Sequence, residues 1–123
     1  MDLQEILERF SLISGLTPEE VSPFTLILEE AKNEIESKVL DGVDKTAESR
    51  RLNAAAAALG FYKYILYKTS RSGMESFSVG DMTIKKSDST AINLARSVWN
   101  EARCASSDIL KDDDFLFEQI KFC

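Results

Sequence analysis

The chain contains no histidine, which removes the commonest general base and the commonest metal ligand together. Cysteine is nearly as scarce. Cys104 and Cys123 are the only two; they sit near one end, suggest no disulfide framework and fit a reducing cytosol best. Without histidine, two cysteines cannot make an ordinary zinc site. As a nucleophile Cys104 has only Arg103 beside it in sequence to lower its pKa. The five glycines are scattered, and none stands in a GxxxxGK(S/T) or GxGxxG phosphate-loop context. Serines are plentiful, yet there is no GxSxG elbow and no base to activate one. No apolar run approaches the ~18 residues of a membrane span. The opening MDLQEILERF lacks the basic and apolar regions of a signal peptide. These absences predict a protein that is not an enzyme, holds no cofactor and enters no membrane.

What is present is ordinary for a globular chain. Its 123 residues, 44% hydrophobic and 29% charged, are enough for one domain and too few for two. Such a chain buries about two-thirds of its unfolded surface, so it needs no staples. The net charge of −6 is unevenly spread: residues 1–49 carry −8, residues 50–103 carry +5 and residues 104–123 carry −3. An acidic–basic–acidic chain can pair its ends with its own middle or with copies of itself. Any contact with DNA is confined to the middle.

Apolar residues recur at helical spacing through Leu3, Ile6, Leu7 and Phe10, predicting a helix over 2–14 that stops at Gly15. Thr17-Pro18-Glu19-Glu20 has the chemistry of a helix start, and Pro23 makes a second start at Ser22. Phe24, Ile27, Leu28, Ala31, Ile35 and Val39 then line one face of a helix ending near Asp41-Gly42. Residues 47–69, with five consecutive alanines, predict a helix apolar on more than one face and so central to a domain or an assembly. Gly60 inside it marks a close contact. Ser70-Arg71-Ser72-Gly73 reads as a loop. In SFSVGDMTIK, Phe77 and Val79 alternate with polar residues, as do Met82 and Ile84, and the phase slips at Gly80-Asp81. That predicts a short β-hairpin over 76–85. Ser87-Asp88-Ser89-Thr90 offers caps for a last helix reaching about Ser106.

The expected fold is mainly α: a small helical bundle around a long alanine-rich helix, over residues 1–108, with a hairpin arm at about 70–86. Residues 109–123 form a separate aromatic tail. Two segments are candidate functional sites. The arm carries Arg71, Phe77, Val79, Gly80, Asp81, Lys85 and Lys86, a set suited to an acidic neighbouring surface or to a channel carrying DNA. The tail carries Ile109, Leu110, Phe115, Phe117, Ile120 and Phe122, which pack on the domain itself or supply buried area to a partner. Asp112-Asp113-Asp114 is read as a solvated or capping stretch rather than a cation site, which needs six or more arranged ligands.

The order of RLNAAAAALGFYKYILYK, GMESFSVGDMTIK, AINLARSVWNEA and a short aromatic tail resembles the head–tail connector proteins of tailed double-stranded-DNA bacteriophages, also called head-completion or adaptor proteins. The resemblance covers roughly residues 20–123, and SFSVGDMTI directly after the alanine-rich helix is its most distinctive piece. It implies a structural virion protein of a phage or prophage neck, made in the host cytoplasm. Such subunits form a ring, about twelve copies in that family, between the portal and the stopper or tail, and extend the DNA channel. Residues 70–86 would then be the arm reaching neighbouring subunits or the channel, and residues 109–123 the segment docking on the portal. Two other readings remain open: a stand-alone helical binding module or regulator, and a small metal-dependent enzyme resting on Asp112 to Asp114 alone.

Overall fold

The computed structural model describes the backbone of residues 1–75 and 82–110, and side chains for residues 1–69 and 90–110. The described residues are mainly helical. In chain order they form α1 (Leu3–Ser14), the short α2 (Pro18–Val21), a 3-10 turn (Ser22–Phe24), α3 (Thr25–Lys38), α4 (Ser49–Glu75) and α5 (Met82–Ala105).

Local chemistry accounts for the early boundaries. The Asp2 side chain accepts from the Gln4 N–H at the start of α1, satisfying a donor the helix itself leaves open. Gly15, at φ 77°, closes α1 in the left-handed conformation. Thr17 and Glu20 form a reciprocal capping box: Thr17 Oγ1 accepts from the Glu20 N–H, and Glu20 Oε1 accepts from the Thr17 N–H.

α4 is the centre of the bundle, with α1, α3 and α5 all packed on it. Ala55, Ala56, Ala57, Ala58, Leu59, Phe61, Tyr62 and Tyr64 are all buried. Small side chains let the flanking helices approach on several sides at once. One close approach is at Gly60, where an added Cβ would collide with the Leu28 side chain of α3. From α1, Phe10 packs edge-on against Tyr64 at 5.4 Å between ring centroids. Phe24 lies against the other side of that ring at 4.7 Å and also reaches Tyr67. Fully buried Trp99 and Ala95 are the core contribution of α5.

The ends of the domain are stitched together. Leu40 N–H donates to the Ile109 carbonyl at 2.9 Å, and Val39 and Leu110 form an isolated antiparallel bridge. Arg51 donates to the Ala105 carbonyl, to Asp108 and to Glu48. It joins the first turn of α4 to the end of α5, so the two helices run antiparallel.

Three expectations need correcting. α4 does not stop at Thr69 but continues to Glu75, through the expected loop at 70–73. The β-hairpin over 76–85 is not shown: Met82 to Lys85 form the first turn of α5, and residues 76–81 lie outside the described residues. Alternation over four residues is too short to exclude one helical turn. Ile109 and Leu110, assigned to a separate tail, are buried in the domain's own core at 5% and 4% exposure. The sequence shows their hydrophobicity but not the Val39–Leu40 edge that covers them.

Candidate functional site

The antiparallel pair α4–α5 is the frame for the expected arm. Tyr67 is the last α4 side chain described against the Phe24 turn. The α4 backbone runs on to Glu75, about two turns or 12 Å further, and α5 begins at Met82. Of the arm residues, Arg71 therefore lies on the last turns of α4, and Lys85 and Lys86 on the first turns of α5. Phe77, Val79, Gly80 and Asp81 lie outside the described residues. At the start of this stretch Lys68 Nζ sits 5.7 Å over the Tyr64 ring, within cation–π range.

The opposite end of the pair holds the strongest polar cluster. Arg51 Nη1 meets Asp108 Oδ1 at 2.7 Å and the Ala105 carbonyl at 3.0 Å, while Nη2 meets Asp108 Oδ2 at 3.2 Å. This forked guanidinium–carboxylate pair also caps the last carbonyls of α5. Its hydrogen bond from Arg51 holds the Asp108 carboxyl below its ordinary range, and Asp108 in turn raises the Arg51 pKa. Nearby, the buried Asn53 accepts from the Asp2 N–H through Oδ1 at 3.0 Å, tying α1 to α4. On α1 beside it, the hydrogen bond from Arg9 holds the Glu5 carboxyl below its ordinary range. This cluster does structural work: it offers no nucleophile and no open cation.

Among the described residues, no group of three or more His, Cys, Asp or Glu could hold a metal ion; Asp112 to Asp114 lie outside them. Cys104 is disulfide-bonded, where the cysteine count led to no such expectation. No described helix is long and apolar enough to cross a membrane. Of the tail residues, Ile109 and Leu110 belong to the core as described above. Phe115, Phe117, Ile120 and Phe122 lie outside the described residues.

One surface escaped the sequence reading. A groove of about 560 Å³ runs between α1 and the α2–α3 junction. Leu7, Leu12, Pro18 and Val21 supply its apolar lining, and Glu8 and Thr25 stand among its polar walls. The signal was the α1 stripe Gln4, Leu7, Glu8, Ser11, Leu12, a second face at helical spacing beside the one that enters the core. Comparison of the chain with protein families, curated proteins and solved structures finds no match.

Proposed function

We propose that the chain is a structural, non-catalytic subunit of a phage or prophage neck. In this reading it forms a ring between the portal and the stopper or tail and surrounds the DNA channel. The observation that carries it is the α4–α5 pair: two long antiparallel helices, clamped at one end by Arg51, whose other ends continue past the last described contact with α3's entrance. The arm at about 70–86 would begin on the last turn of α4 and end on the first turns of α5. The basic middle of the chain and its acidic first 49 residues suit head-to-tail packing of identical copies, in which two different faces of the subunit meet. Residues 111–123 are the docking segment for the portal. The neck location and the ring rest on sequence resemblance and on this architecture. The test is native mass at micromolar concentration, followed by imaging of the protein with a portal. A ring that attaches to the portal is the expected result; a monomer under all conditions overturns it.

The groove between α1 and α2 favours a second reading, a small helical module that binds a protein partner. Monomeric native mass with retained partner binding separates it from the ring.

A further inference from the structure

We infer that the groove between α1 and the α2–α3 junction is a docking site for a basic amphipathic helix of another protein. The inference rests on the second reading above, a small helical module that binds a protein partner. Leu12 is 85% exposed at the groove, a large apolar side chain with no cover, beside the apolar surfaces of Leu7, Pro18 and Val21. A helix laying apolar side chains into such a trough at one-turn spacing is a recurrent mode of recognition.

Charge selects the kind of helix. Glu8 stands in the wall, Glu19 directly follows the lining residue Pro18, and Glu29 comes one helical turn after the lining residue Thr25. All three carboxylates are without an ion pair among the described residues, whereas Glu5, Glu34 and Glu36 are paired with Arg9, Lys63 and Lys32. An apolar trough rimmed by unpaired carboxylates attracts a helix with lysine or arginine beside its apolar stripe, and repels an acidic one. The same charge disfavours a second copy docked groove to groove, because a two-fold axis there would bring acidic surface against acidic surface.

The test uses the full chain and two designed helical peptides of identical leucine pattern, one with lysine and one with glutamate at the polar positions. Binding is followed by fluorescence anisotropy at low and near-physiological salt, and by amide chemical-shift mapping. The lysine peptide should bind, more weakly as salt rises, and perturb amides from Leu7 to Leu12 and from Val21 to Thr25. The glutamate peptide should not bind. Leu12→Ser, at so exposed a position, should keep the circular dichroism spectrum and weaken binding about tenfold, the loss expected for a central anchor. Glu8→Lys with Glu29→Lys should remove most of the salt dependence. Equal binding of both peptides, unchanged affinity in Leu12→Ser, or shifts centred away from α1 and α2 would each overturn the assignment. A native mass that doubles with concentration and is halved by Leu12→Ser would give the groove to a second copy and overturn it as well.

Discussion

Gly60 is where two opposing effects can be weighed. Alanine in a helix interior is better than glycine by about 1 kcal/mol. At this position, however, the new methyl would overlap Leu28, which is completely buried, with buried Ala31 close beside it. Overpacking costs about 1–3 kcal/mol, so Gly60→Ala should lower stability by roughly 1 kcal/mol. In a Leu28→Ala background the same change should stabilise, because the methyl then enters vacated space; a double-mutant cycle by urea denaturation reads this reversal of sign. The close approach at Gly60 was legible in the sequence, since a glycine within an alanine-rich helix otherwise lacks a reason. Its partner was not, because periodicity places Leu28 on a face without saying which helix that face meets. Asp108 makes a different prediction. Its carboxyl titrates lower in the folded chain than its ordinary 3.8, so the Arg51 pair contributes fully above that value and fades as pH falls through the lower folded one. Glu5 and Glu20, each lowered from 4.5, act in the same direction. Denaturation midpoints should therefore drop on acidification from about pH 6 to about pH 2, and Asp108→Asn should flatten part of that drop.

Elements whose ends are set by side-chain chemistry are the ones the sequence announces. Gly15 ends α1 and Thr17-Pro18 begins α2 where their chemistry requires. Thr17→Ala should cost about 1 kcal/mol, readable as a lower melting temperature, since it removes the Oγ1 that accepts from the Glu20 N–H and leaves only the backbone half of the capping box. The later boundaries shifted because contacts outweighed local preference. Ser87, Asp88, Ser89 and Thr90 look like caps, yet α5 runs through all four from Met82. Such residues are poor helix formers only by modest amounts, so a helix can run through them. The central helix was correctly singled out by its alanines, whose burial needs no partner copy. Ala56 is inaccessible within the single chain. Ala56→Glu should accordingly cost several kcal/mol and unfold the monomer, as seen by loss of the cooperative urea transition. Retained stability would place that face outside the core.

At the scale of the whole molecule, the domain extends past the boundary its composition implies. Ile109 and Leu110 close the core against Val39 and Leu40. Burying two such side chains contributes about 3–6 kcal/mol, so a chain ending at Ser107 should be less stable than one ending at Leu110 by about that amount. Paired urea titrations of the two truncations give the difference directly. The groove on α1 was hidden for a related reason: an amphipathic helix displays two stripes, and only the assembled bundle says which one is left uncovered. The arrangement of helices around α4 also bears on how the protein opens. α1 and α3 touch each other as well as α4, whereas α5 packs on α4 and is latched at its end by Arg51 and by the pairing of Ile109 and Leu110 with Val39 and Leu40. The molecule should thus not loosen evenly. α5 should swing free as one cooperative unit at a lower free energy than global unfolding, leaving α1, α3 and α4 associated. Amide hydrogens of α4 between Leu52 and Tyr64 should exchange last, those of α5 earlier and together, and Arg51→Ala should hasten the exchange of α5 far more than that of α3.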